Sequence, residues 1–227
     1  MNRMPPVLVR DGVRRNGFLA TIGSRTWRPR AVAACALADL EAVSSRSAYA
    51  AWLARVAPAW ERLPVFGGRR GNWPLVCVGP ECLRGHALLL ADLADVAPGD
   101  LADLAPGDLT GADLTGADLT GADLTGADLT TSVAGTDEAF LVGAAYVAVD
   151  AACDAAVLTA AALSLAAEDP RSVGTRFLRE CRLIAGARTA IRRELTAWAT
   201  DQDPPSVERA VLAARVLSLE LAEALRF

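Results

Sequence analysis

Apolar residues recur at helical spacing over several stretches of this chain. Ala33, Leu37, Leu40, Ala48, Trp52 and Val56 repeat at roughly three- and four-residue steps. That pattern predicts a helix from about Pro29 to Val56, with Arg28-Pro29 suited to its start. Upstream, residues 5–28 mix short apolar pairs with Arg, Gly and Asn, which predicts a small hairpin turning at Asp11-Gly12. Downstream, "APAWERLPVFGGRRGNWP" carries three prolines and three glycines and should break the helix. The apolar run "LVCVG" at 75–79 reads as a strand or a buried turn. A helix follows from Pro80 or Glu81 to Val96. Asp137 should cap a long apolar helix over 138–167, and Ser172 another over 173–200. Pro205 or Ser206 opens a last one that runs to about Leu225.

Composition agrees with helices. Hydrophobic residues make up 52% of the 227, and aromatic residues only 5%. Alanine and leucine dominate, a mix that favours close-packed helices over sheets. The C-terminal part reads as three helices with short connections, an antiparallel bundle pattern that the 29–56 and 81–96 helices would complete. The fold class is therefore mainly α: a helical bundle with an insert. Three segments follow. Residues 1–96 form a basic N-terminal part, 97–136 an acidic insert, and 137–227 a C-terminal three-helix segment. The first and last are expected to share one helical domain.

The insert obeys a different rule. "GADLTGADLTGADLTGADLT" at 111–130 is one five-residue unit written four times. In an α-helix five residues leave successive leucines about 140° apart, with a glycine in every unit costing about 1 kcal/mol. In a flat strand an odd period throws Leu114 and Leu119 onto opposite faces. A coil that turns a corner every five residues gives the leucines one common interior. On these residues the segment resembles the pentapeptide-repeat family, whose pattern is A(D/N)LXX. "ADLTG" at 112–116, 117–121 and 122–126 and "ADLTT" at 127–131 fit every specified position. The leucine frame extends back through Leu109 and Leu104, six units over about 101–131. The resemblance implies a right-handed quadrilateral β-helix with roughly four units per coil. One and a half coils cannot stand alone, because stacked units stabilise only their neighbours. The coil must be capped by the helical part. The other reading of identical copies is an irregular low-complexity linker.

Charge sharpens the division. Residues 1–90 carry 13 Arg and 5 acids, residues 91–138 carry 11 acids and no base, and residues 139–227 carry 10 Arg and 11 acids. A basic block followed by an acidic one suggests that the two lie against each other or that each meets a partner. Every basic residue is arginine, which fits the codon bias of a GC-rich, bacterial-like composition. In the repeat, Asp108, Asp113, Asp118, Asp123 and Asp128 would form an outward acidic face for a partner. Some proteins of the family resemble duplex DNA and bind topoisomerases, but so short an array is a stub of such a rod.

Candidate chemistry is sparse. Cys77, Cys82 and His86, the one histidine, lie within ten residues and are zinc-type ligands lacking a local fourth. Asp150 and Asp154 sit one turn apart in the apolar helix. They would either line a pocket or pair with Arg188, Arg192 or Arg193. No catalytic constellation appears, and no phosphate-binding glycine loop. The N-terminal arginines come with no recognised nucleic-acid-binding motif, so nucleic acid is not the expected partner. Five scattered cysteines fit a reduced, cytoplasmic protein. The 139–167 run, interrupted by Asp150 and Asp154, reads as a core helix and not a membrane span. The leading expectation is a non-enzymatic interaction or scaffold protein that binds a protein partner or itself. An enzyme or small-molecule binder with a pocket inside the bundle is the alternative.

Overall fold

The computed structural model describes residues 17–63, 85–96, 137–168 and 174–226, and every element among them is helical. The helices are α1 (Phe18–Leu37), α2 (Arg46–Arg62), α3 (Gly85–Val96), α4 (Glu138–Ala155), α5 (Thr159–Glu168), α6 (Arg176–Asp201) and α7 (Pro204–Ala224). Short 3-10 turns sit at Leu40–Val43 and Ala156–Leu158. The mainly helical class expected from sequence is observed. The 101–131 insert, the 75–79 run and the Asp11-Gly12 turn lie outside the described residues.

Two boundaries differ from expectation. The predicted 29–56 helix is two helices, and the first begins eleven residues earlier, inside the predicted hairpin. Pro29 lies within α1 instead of opening it. A proline in a helix interior forgoes one hydrogen bond. Here Ile22, Thr26, Ala33 and Leu37 form a buried stripe spanning the proline, and that packing carries the helix through. The break comes at Asp39, whose carboxylate accepts from Glu41 N at 3.1 Å, and at Ser45, whose hydroxyl accepts from Ala48 N at 3.1 Å. Both are ordinary caps that end one helix and start the next. Likewise α2 continues through Pro58 and stops only at Leu63, before Pro64.

The later helices match closely. Asp137 caps α4, accepting from Ala139 N at 3.0 Å. The apolar helix tightens to 3-10 geometry at Ala156–Leu158 before running on as α5. At that step the Thr159 hydroxyl lies 2.8 Å from Ala156 O and 3.1 Å from Leu178 O, fixing it against α6. Asp203 caps α7 through Ser206 N at 2.8 Å.

One continuous core joins α1, α2 and α3 to α4, α6 and α7. Helix α4 lies at its centre, packed on α7, α6 and α1. Contact with α7 is close at Gly143, where an added Cβ would lie 2.4 Å from Ala210 O and 2.8 Å from Ala214 N. Only a residue without a side chain lets the two backbones approach so far. An aromatic cluster of Tyr49, Trp52, Trp60 and Phe177 ties α2 to α6, with Trp60 edge-on to Phe177 at 4.8 Å. The segment from Glu138 to Ala167 is apolar and long enough to cross a membrane, yet 72% of an 18-residue apolar window within it is buried inside the protein. As expected from its two aspartates, it is a core helix here.

Candidate functional site

Two places in the fold carry polar groups under constraint. The first is on α4. Its apolar sequence buries the helix nearly all round, so Asp150 goes into the core with it and is 5% exposed. A buried carboxylate needs partners. Arg30 of α1 brings Nη1 to 3.0 Å of Oδ2, and Arg188 of α6 donates to Oδ1 at 3.2 Å. The Tyr146 hydroxyl lies beside Asp150; burial first, then that carboxylate, raises its pKa above the usual phenol range. Asp154, one turn on, is half-buried. Desolvation raises its pKa, partly offset by Arg30. Cys153 between them is a half-buried thiol, made harder to ionise chiefly by burial.

The recess at this cluster is lined by Arg30, Tyr146, Asp150, Asp154, Ser218 and Leu221, among others. Its free space is about 10 Å³, room for one water molecule. The Asp150 and Asp154 pair thus sits in an ion-paired seam between α1, α4 and α6. Of the arginines expected as partners, Arg188 binds Asp150, Arg192 only adds positive charge near Tyr146, and Arg193 is exposed. Arg30 was not foreseen, because its helix was expected to begin there.

The second place is the frame around the repeat. Before it, α3 ends beside α2 and the start of α6. Arg46 Nε donates to Val96 O at 2.9 Å. Asp92 is fully buried and accepts from Arg176 N at 3.1 Å and Phe177 N at 2.9 Å, capping α6 from another helix. Thr175, the residue at the cap position, makes no such bond. The guanidinium of Arg176 also reaches Asp92 at 3.5 Å and Asp95 at 2.8 Å. Gly174 must be glycine, since a Cβ there would lie 2.5 Å from the Asp92 carboxylate. Its carbonyl accepts from the buried Tyr49 hydroxyl at 3.0 Å. Desolvation raises the pKa of Asp92, although the backbone bonds from Phe177 and Arg176 pull the other way. After the repeat, Asp137 both caps α4 and pairs with Arg209 Nε of α7 at 3.1 Å.

Sequence reasoning missed Asp92 entirely. The expected cap for α6, Ser172, lies outside the described residues, and the actual cap is 84 positions away in sequence. The one available signal was an aspartate on the apolar face of α3, between Leu89 and Val96. His86 is half-buried on α3, while Cys77 and Cys82 lie outside the described residues. Among the described residues no group of three or more His, Cys, Asp or Glu is placed to hold a metal. Asp108, Asp113, Asp118, Asp123 and Asp128 also lie outside them.

Residues 101–133 match the pentapeptide-repeat family, in eight copies. The resemblance read from "ADLTG" is thereby established for this segment, over 33 of the 227 residues. No curated protein and no solved structure matches the chain.

Proposed function

We propose that this is a non-enzymatic, cytoplasmic interaction protein, in which a helical scaffold displays an acidic pentapeptide segment to a protein partner or to another copy. The observation that carries this reading is the coincidence of the repeat match at 101–133 with a base-free stretch, residues 91–138, holding 11 acids. Asp108, Asp113, Asp118, Asp123 and Asp128 recur once per unit and are the contact groups. The helical part supports a display role. The buried acid of its central helix, Asp150, is neutralised by two arginines, and the recess beside it admits only a water. That arrangement disfavours the alternative of a small-molecule pocket at Asp150 and Asp154.

Replacing the five repeat aspartates with asparagine tests the reading. Association would be followed by light scattering for the pure protein and by affinity capture from the source cell. The native chain should associate in a salt-sensitive way, and the five-Asn variant should not. Equal association by both chains would remove the acidic face from the explanation.

A further inference from the structure

Helix α6 carries an exposed arginine face that has no counter-charge among the described residues. Arg179, Arg182, Leu183, Gly186, Thr189 and Arg193 fall on one side at three- and four-residue steps and are all exposed. Leu183 is 68% exposed, the most exposed large apolar residue among those described. Arg179, Arg182 and Arg193 make no ion pair with the described residues, unlike Arg176 and Arg188 on the same helix. No acid lies three or four residues along α6 from Arg179, Arg182 or Arg193.

The acid that fits it is written next to it. "DLAD" occurs at 92–95 and again at 100–103. The first copy already grips α6, since both Asp92 and Asp95 reach Arg176. The second begins only eight residues later and four residues beyond Val96. Four extended residues span about 13 Å. Along α6, Arg179 lies about 4.5 Å and Arg182 about 9 Å beyond Arg176. The spacing also matches: "DLADL" at 100–104 offers acids three apart, each followed by leucine, and Arg179, Arg182 and Leu183 offer bases three apart followed by leucine.

We propose that residues 97–104 dock along the exposed arginine face of α6, with Asp100 and Asp103 paired to Arg179 and Arg182 and their leucines against Leu183. The occupant is this chain's own segment because Asp95 on Arg176 delivers it there, and so short a tether raises its local concentration far above that of a free partner. The first acids after α3 are thus taken up by the helical part, and the repeat aspartates from Asp108 onward are left for a partner. This inference stands whether or not those later aspartates meet a partner.

The chain has no lysine, so Arg179→Lys and Arg182→Lys each introduce its sole side-chain amine. Carbodiimide then joins that amine to any carboxylate in contact, and mass spectrometry of the monomer identifies it. Arg215→Lys, exposed on α7, is the control, and circular dichroism confirms that each variant folds. The expected result is a within-chain link from position 179 or 182 to Asp100 or Asp103. It should form with a yield about fivefold or more above the control. It should fade in about 1 M salt, where charges are screened beyond ~3 Å. Links spread evenly over the acids of 97–136, links only between copies, or yields equal to the control would overturn the proposal. So would an oligonucleotide that binds the native chain and is released by Arg179→Glu with Arg182→Glu, because the face would then belong to nucleic acid.

Discussion

Helices α4 and α6 are neighbours built to opposite rules. Thirteen of the eighteen residues of α4 are buried, eleven of them in an unbroken run from Val142 to Ala152. Only seven of the twenty-six residues of α6 are buried, and they fall at helical steps: Phe177, Leu178, Cys181, Ile184, Ile191, Leu195 and Trp198. Small residues make the first possible, since Ala and Gly let neighbours close in on every side. Arginine makes the second possible, with long stems on the flanks and charge outward. The teaching is that sensitivity in this protein follows position around the helix more than residue type. On α4 an atom added between Val142 and Ala152 meets packed protein, and at Gly143 it meets the backbone of α7. On α6 it meets packed side chains on one face and water on the other.

That contrast breaks first at Gly143. Gly143→Leu would drive a side chain into Ala210 O and Ala214 N of α7. The overpacking should cost more than about 3 kcal/mol, enough to leave little folded protein in a urea titration. Next is the cap of α6. Asp92→Ala strands the buried Phe177 N–H and the amide of Arg176, and should cost about 2–4 kcal/mol. Asp92→Asn keeps one acceptor and should recover part of that in the same titration.

Asp154→Asn sharpens the comparison in the other direction. The Asp154 carboxyl has a raised pKa in the folded protein because of desolvation. Folding therefore prefers its protonated form. The stability this contributes is complete below the unfolded pKa of about 4 and is lost as pH rises through the folded value. At neutral pH the Asn variant should be more stable than the native chain by a few tenths of a kcal/mol, the scale of a like-charge pair one helical turn apart. The gain should vanish near pH 4, as followed by denaturant midpoints across the acid range. Smallest of all, Leu183→Ser on the exposed face of α6 should shift stability by no more than about 0.5 kcal/mol.

How far the sequence foretells the fold divides along the same line. Helices α4, α6 and α7 were legible because their signals are local: Asp137 before an apolar run, and a Pro-Pro-Ser start after Asp203. Where a tertiary contact decides, the sequence misled. Pro29 has the look of a helix start, yet the buried stripe of Ile22, Thr26, Ala33 and Leu37 continues across it. The Asp39 and Ser45 caps were present in the text but lay inside an apolar period that ran on without them. At the site, Asp150 with Arg188 was foreseen as a pair because their helices were both recognised. Arg30 and the Asp92 cap were not, because nothing local marks an aspartate that serves a helix far along the chain. The repeat was legible from its period alone.

The frame around the repeat has one further consequence. Val96 is held by Arg46 and Asp95 by Arg176, while Asp137 closes α4 and pairs with Arg209. None of these fastenings uses a residue of the 101–133 array. Adding or deleting one five-residue unit therefore leaves every one of them in place. Counted as a loop, such a change alters the closure entropy by only about 0.1 kcal/mol. Identical units are also the kind of sequence in which replication slips. The number of copies is thus free to drift between related chains as a length variable, with the helical fold indifferent to the count.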